Sequence, residues 1–298
     1  MKYDLIVAGC GFSGAVIAHL AAKRGDRVLL VEKRGHIAGN MYDYVDEAGI
    51  LVQKYGPHSL HTNHARVRAF LSGLWEWEPF ILRARAMIRG RATPSPFNLK
   101  TIDDYYAPDR AGQLKERLKA VYGDAKKTTI VELLESPDPV IREYAQFLFE
   151  EDYRPYTAKQ WGIAPETLDV SVLKRVPVRL DYTDAYFDDD WQVLPKKSFT
   201  AFFERLLDLP GIELRLRTNI LDHLSLDSES GTLSFDGQTA GVPVVYTGPL
   251  DELFGCCYGS LPYRSLRFEW KTLEMDSFQE TPGVAHPKAE GFTRITEY

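Results

Sequence analysis

Leu5-Ile6-Val7-Ala8-Gly9-Cys10-Gly11-Phe12-Ser13-Gly14 runs an apolar, strand-like stretch into three glycines at fixed spacing. A helical pattern follows from Ala15 to Arg24, then a second strand-like run from Arg27 to Val31 that ends at Glu32. Strand, glycine turn, helix, strand and acid together make a complete βαβ dinucleotide fingerprint. Gly9 permits the tight turn, Gly11 lets a pyrophosphate approach the backbone, and Gly14 lets the helix pack on the strand. The helix N-terminus, reached at Phe12 and Ser13, supplies amides and partial positive charge to phosphates. Glu32 lies 18 residues after Gly14, spaced to accept hydrogen bonds from a ribose and to disfavour a 2′-phosphate. A fingerprint this near the N-terminus suits FAD slightly better than NAD, although the motif alone does not separate them. The plain alternative is a glycine-rich structural turn, and the flanking elements argue against it.

Outward from that unit, apolar residues recur at helical spacing at Val67, Phe70, Leu71 and Leu74, and again at Leu114, Leu118 and Val121. Residues 128–161 stay helical in pattern, interrupted by Pro137 and Pro139, so 99–161 reads as a mostly helical insertion. Segments 82–91, 175–182 and 263–269 read as strands, the last with mixed polarity on both faces. A helix carrying Phe202, Phe203, Leu206 and Leu207 precedes a period-2 strand over Ile212–Arg217, and Pro243–Pro249 reads as a buried strand stopped by a turn. These later elements return the chain to an α/β layer, which makes the nucleotide domain discontinuous.

A chain of 298 residues suits roughly two domains. Its 44% apolar and 26% charged residues exclude long disorder and fibrous classes. Lys plus Arg number 36 against 42 Asp plus Glu, net −6, and no basic block supports nucleic-acid binding. An anionic ligand must therefore be met by a local cationic pocket. Cys10, Cys256 and Cys257 are too few and badly spaced for a disulfide framework or a metal site, which favours a reducing compartment. The N-terminal apolar run is too short for a signal peptide and nothing approaches a membrane span, so the expected location is the cytoplasm.

Further motifs occur in order: Glu32-Lys33-Arg34-Gly35-His36-Ile37-Ala38-Gly39-Asn40, Lys54-Tyr55-Gly56-Pro57-His58-Ser59-Leu60-His61-Thr62-Asn63, Pro96-Phe97-Asn98, Tyr156-Thr157-Ala158-Lys159-Gln160-Trp161-Gly162, Lys174-Arg175-Val176-Pro177-Val178-Arg179, Tyr246-Thr247-Gly248-Pro249, Tyr263 to Glu269, and Thr293-Arg294-Ile295-Thr296-Glu297. Carrying them across nearly its whole length, the chain closely resembles the bacterial UDP-galactopyranose mutases. The resemblance implies an α/β fold: an FAD-binding Rossmann-like parallel-sheet domain over 1–77 and 191–257, a helical insertion over 99–162, and an antiparallel-sheet substrate domain over 78–98, 163–190 and 258–298. It implies an FAD-dependent isomerase that interconverts UDP-galactopyranose and UDP-galactofuranose, for cell-surface galactofuran, without net redox. In that family reduced flavin attacks the anomeric carbon through N5 as UDP leaves, and the flavin-linked sugar opens and recloses. Homodimers are common there.

Residue by residue, Arg179 and Arg294 resemble the two arginines that clamp the substrate pyrophosphate. The chemistry of guanidinium forks on phosphate agrees with that, against the plain alternative of solvated surface charges. Trp161 and Tyr156 resemble residues beside the uridine and gating loop, Tyr186 a tyrosine touching the diphosphate or uridine, and Tyr153 stands near the uracil-stacking position. For each aromatic the competing reading is core packing. His58 and Leu60 lie in the segment that covers the flavin in the family, with His58 near the reactive face or serving as a structural hydrogen bonder. Asn98 is carried over near the flavin or substrate. Lys33, Gly39 and Asn40 are carried over to FAD from the loop after Glu32, where Ala38 replaces the usual glycine. No metal is implied.

Besides Ala38, one feature departs from the family. Relatives continue through a further C-terminal segment, whereas here Phe292–Tyr298 still reads as a strand at the end. The competing readings are accordingly a flavin oxidoreductase of the amine-oxidase-like superfamily, and an inactive truncated remnant of a mutase.

Overall fold

The computed structural model describes residues 2–164, 173, 176–227 and 230–298. Its contacts divide the chain into two compact units. One holds residues 1–80 and 190–272, the other 81–189 and 273–298.

The first unit is built on β1 (Leu5–Ala8), α1 (Phe12–Lys23) and β2 (Val28–Val31). Both strands are apolar throughout because both faces are covered, as parallel strands require. Val7, Val28 and Leu30 face Ala18 and Ala21 of α1. Ile6, Leu29 and Val31 face Ile220, Leu224 and Phe235. Strand Ile212–Arg215 pairs beside β2 and Val244–Tyr246 beside β1, giving a four-stranded, all-parallel sheet in the order 212–215, β2, β1, 244–246. Helix Phe199–Leu207 sends Phe202, Phe203 and Leu206 into a third apolar cluster with Ala15, Ala38 and Leu71. Ser198 caps it through Ala201 N, and the buried Asp43 carboxylate accepts from Phe199 N and Thr200 N. That acid satisfies first-turn amides and complements the helix dipole.

The second unit packs helices Leu99–Tyr105, Pro108–Tyr122, Ile130–Leu134 and Pro139–Leu148 around one core with strands Ala84–Ile88 and Pro177–Arg179; helix Arg154–Trp161 follows in the chain and buries Ala158. Its main sheet runs in the order Arg294–Thr296, Gly283–Ala285, Ala84–Ile88, Arg91–Ser95. It is mixed rather than antiparallel, because Gly283–Ala285 lies parallel to Ala84–Ala86. The break at Pro137 and Pro139 becomes a helix start, with Asp138 accepting from Val140 N and Pro139 at the first helical position. A single π turn, Phe149–Tyr153, joins that helix to Arg154–Trp161.

One expected strand does not form. Residues 263–269 carry no strand and are exposed, Tyr263 at 76%. With polar and apolar residues on both faces, the segment buries neither, and alternation alone supplies no partner for its backbone. Of the other strand expected over 175–182, only Pro177–Arg179 forms; Lys174 and Arg175 lie outside the described residues. Among the described residues no helix is long and apolar enough to cross a membrane.

Candidate functional site: a glycine cradle and an open arginine

Each unit holds one candidate for a phosphate site, and the two are made differently. In the first, Gly9 takes φ +98°, and its N–H donates to Val31 O at 2.7 Å. A Cβ on Gly9 would stand 2.2 Å from Thr247 Oγ1, whose hydroxyl is held by Ala8 O at 2.7 Å. A Cβ on Gly14 would stand 1.9 Å from Gly9 O. Gly9 and Gly14 are thus required by the fold itself. Gly11 differs: the nearest atom to a Cβ there is Gly39 Cα at 4.0 Å, so its face is open. Gly39, at φ +56°, backs onto the same point, its own Cβ position falling 2.8 Å from Gly11 Cα.

Helix α1 begins at this turn with no side-chain cap and no acid in its first turn, which leaves its leading amides for an anion. Ser13 is exposed there. Phe12 contributes backbone only, since its ring packs against Phe203 (4.9 Å), Phe202 (5.8 Å) and Phe199 (6.4 Å). Glu32 is 6% exposed; its Oε2 accepts from Cys10 N and its Oε1 from Arg34 N, both at 2.8 Å. Two lone-pair directions remain for a ribose. The residues present therefore fit a dinucleotide with a free 2′-hydroxyl, as FAD has.

Cys10, within the turn, is fully buried, and burial pushes its thiol up to about 12, which makes it unreactive. Lys33 reaches Glu252 at 3.7 Å. Asn40 Oδ1 accepts from both terminal nitrogens of Arg34 at 3.0 Å. Ala38 is fully buried at φ +71°, a left-handed conformation that glycine adopts more readily. Gln53 pins the His58 backbone on both sides, donating to His58 O at 3.0 Å and accepting from His58 N. The His58 ring reaches Gly56 O at 2.7 Å through Nδ1. A carbonyl only accepts, so Nδ1 carries the proton and Nε2 is left as the acceptor of the neutral ring. Leu60 is half-buried against the aromatic cluster of Phe202 and Phe203.

In the second unit, three side chains expected at the substrate are committed inside the fold. Arg179 is 4% exposed; its Nη1 pairs with Asp188 at 2.6 Å and its Nη2 donates to Ala185 O at 3.0 Å. Lys127 holds the other oxygen of Asp188 at 3.0 Å. Burial resists ionisation of that carboxyl, but the hydrogen bonds from Lys127 and Arg179 outweigh it and hold Asp188 below the usual carboxylate range. A guanidinium so placed anchors the 179–188 segment rather than presenting a fork to solvent. Asn98 is a helix cap: Oδ1 accepts from Lys100 N, and Nδ2 donates to Thr183 O. Tyr153 is buried against Phe97, its hydroxyl donating to Val176 O.

Arg294 is the contrasting case. It is exposed, and among the described residues its guanidinium has no ion pair or hydrogen bond. Its charge is felt at Tyr156, where burial raises the phenol and Arg294 pulls it down, with Asp152 and Tyr186 also close enough to act. Trp161, 42% exposed, ends the same helix as Tyr156. Tyr186 is half-buried, held by its N–H on Leu82 O and edge-on to Phe187. The arrangement offers an open guanidinium near the Tyr156 phenol, suited to a diphosphate carrying a planar base.

Comparison with known proteins decides the family. Residues 7–74 match the model for an NAD(P)-binding Rossmann-like domain, and residues 152–298 match the model for UDP-galactopyranose mutase. The UDP-galactopyranose mutase of Mycoplasma pneumoniae is 35% identical over 300 residues, covering 100% of this chain and 74% of that protein. The chain belongs to the UDP-galactopyranose mutase family. The dTDP-fucopyranose mutase of Escherichia coli is 32% identical, covering 99% of this chain and 76% of that protein. A reduced UDP-galactopyranose mutase crystal structure aligns with TM-score 0.59 at 17% identity over 85% of this chain and 57% of that chain, which agrees with the α/β fold of this mutase family member. Three residues received no role from the motifs: Thr247 against Gly9, Asp188 against Arg179, and Lys159. Thr247 and Lys159 stand inside two of those motifs, and Asp188 in none.

Proposed function

We propose that this mutase family member binds FAD and interconverts UDP-galactopyranose and UDP-galactofuranose. The observation that carries the reading is one chain holding both an uncapped glycine cradle with Glu32 beside it and, on a separate unit, an arginine near Tyr156 that pairs with none of the described residues. The leading amides of α1 bind and neutralise the dinucleotide pyrophosphate, and Gly11 admits it. Glu32 accepts from the adenosine ribose; Gly39, Lys33 and Asn40 flank it. His58 Nε2 accepts a hydrogen bond toward the flavin ring side. When bound and reduced, FAD supplies the nucleophile for the anomeric carbon, so ring contraction proceeds without net redox.

Arg294 holds the UDP diphosphate and stabilises the charge that develops there as the glycosidic bond weakens. Tyr156, Trp161 and Tyr186 orient the nucleotide, and their rings exclude water. Arg179, tied to Asp188, supports the segment that carries Tyr186. The reading carries a homodimer in the reducing cytoplasm, in keeping with three cysteines that are all free; light scattering tests the dimer.

The deciding experiment is anaerobic incubation of FAD-loaded protein with UDP-galactofuranose, before and after dithionite, with products separated by chromatography. UDP-galactopyranose is expected only after reduction. Equal conversion by oxidised protein contradicts the reading, as does net substrate-dependent flavin reduction, which marks an oxidoreductase. A parallel arm with the furanose form of dTDP-fucose is expected to turn over more slowly.

A further inference from the structure

Among the described residues, Lys159 is held by carbonyl groups alone. It stands one turn after Tyr156 on helix Arg154–Trp161. Its Nζ donates to His286 O at 2.7 Å, Ala289 O at 2.7 Å and Phe292 O at 2.8 Å. All three of its donors are thereby used. The three acceptors all belong to residues 286–293, the loop that joins strand Gly283–Ala285 to strand Arg294–Thr296. Within the loop His286 N donates to Thr293 O, Ala289 N to His286 O, the His286 ring lies 5.0 Å from that of Phe292, and Gly291 turns at φ +82°. From outside it Glu151 pairs with Lys288 at 2.6 Å, and the remaining side-chain hold among the described residues is Lys159. Its last carbonyl on the lysine, Phe292 O, lies two residues before Arg294.

A lysine in such a place normally finds a carboxylate, and this one has none among its partners. Charge-assisted hydrogen bonds to carbonyl oxygens are strong enough to fix a loop. They also leave the charge uncancelled, where a carboxylate would have cancelled it. Burial accordingly pulls the Lys159 ammonium below its ordinary value, and the nearby His286, itself partly buried, is lowered with it.

We propose that Lys159 is a positioning residue for Arg294: by gathering the 286–293 loop it ties the helix of Tyr156 to the strand of Arg294 and sets the guanidinium for a nucleoside diphosphate. The inference rests on Arg294 as the diphosphate ligand. A tetrahedral ammonium matches three converging carbonyls, whereas a planar guanidinium matches them in part.

The test uses FAD-loaded Lys159→Met, Lys159→Arg, Arg294→Lys and the double variant Lys159→Met/Arg294→Lys, with UDP as the probe. UDP affinity is measured by calorimetry and amide hydrogen exchange is followed over 286–293. Flavin absorbance reports that each protein has folded. Expected are a weakening of about tenfold in Lys159→Met, a smaller one in Lys159→Arg, faster exchange over the loop in Lys159→Met, and a double variant hardly weaker than Arg294→Lys. Wild-type UDP affinity in Lys159→Met beside a weakened Arg294→Lys overturns the proposal and spares the Arg294 reading. Unchanged exchange over 286–293, or fully additive losses in the double variant, overturns it as well. Wild-type affinity in Arg294→Lys overturns the reading beneath it.

Discussion

The Gly9–Gly14 turn and the Arg294 hairpin are both suited to a diphosphate, and they use opposite ends of the peptide group. The turn offers backbone amides at a helix start, with glycines removing everything that would stand in the way. The hairpin spends backbone carbonyls on Lys159 and leaves a side-chain cation open. One site is contiguous in sequence; in the other, Lys159 and its first carbonyl are 127 residues apart. The comparison teaches that a backbone site is fixed by which residues are absent, and a side-chain site by which charges are left unpaired. Arg179 makes the second point within one unit. It has the same side chain as Arg294, but it is itself buried and the half-exposed Asp188 carboxylate has already claimed it.

The largest expected break lies in the glycines. Gly14→Ala puts a methyl 1.9 Å from Gly9 O and is expected to destabilise the protein by about 3 kcal/mol or more, read from urea unfolding. Gly11→Ala, with nothing nearer than 4.0 Å, leaves apo stability within about 0.5 kcal/mol. Equal destabilisation by the two would show that the cradle is not shaped by the contacts described.

The arginines sharpen the same contrast. Arg179→Met is expected to cost about 2 kcal/mol of stability, through lost packing and the broken pair with Asp188. Arg294→Met changes stability by less than about 0.5 kcal/mol while weakening UDP binding by about tenfold or more. A reversed pattern in melting and calorimetry would move the ligand to Arg179.

A smaller effect follows pH. Glu151 is buried and holds Arg89 at 2.9 Å and Lys288 at 2.6 Å. Burial resists its ionisation, but the two cations prevail and hold it below its ordinary 4.5. Its folded value being depressed, the stabilisation is complete above that ordinary value and is lost as pH falls through the folded one. Glu151→Gln is expected to be less stable by about 1 kcal/mol at pH 7 and to lose less than wild type on going below about pH 4.5. Parallel acid curves for both proteins would place the acid sensitivity elsewhere.

Ala38→Gly is the smallest change. It relieves a left-handed alanine, worth about 1 kcal/mol, and removes a buried methyl worth about 0.8 kcal/mol, so the melting temperature is expected to shift by less than about 2 °C. A large loss would show that the methyl in the Phe202–Phe203 cluster matters more than the backbone angle.

The same contrast explains what could be read from the sequence. The βαβ unit was legible because every part of it lies within thirty-odd consecutive residues and its glycines have no other use. The strand at Val244–Tyr246 was legible from its apolar run, although its partner β1 lies far away in sequence. Residues 263–269 show the limit of that reasoning, since an alternating pattern names a face and not a neighbour. The parallel pairing of Gly283–Ala285 with Ala84–Ala86 has no local signature at all. At the site, the resemblance marked Arg179 and Arg294 alike, and burial with the contacts to Asp188 and Ala185 O separates them. Asn98 and Tyr153 were drawn inward for a similar reason: a side chain able to bind a ligand is equally able to cap a helix or fill a core.

The most direct measurement is the affinity of FAD and of UDP, each determined by titration calorimetry for wild type, Gly11→Ala and Arg294→Lys. The account predicts one FAD per chain, lost or strongly weakened in Gly11→Ala and kept in Arg294→Lys, with UDP binding weakened in Arg294→Lys. FAD bound by Gly11→Ala at wild-type affinity would contradict it.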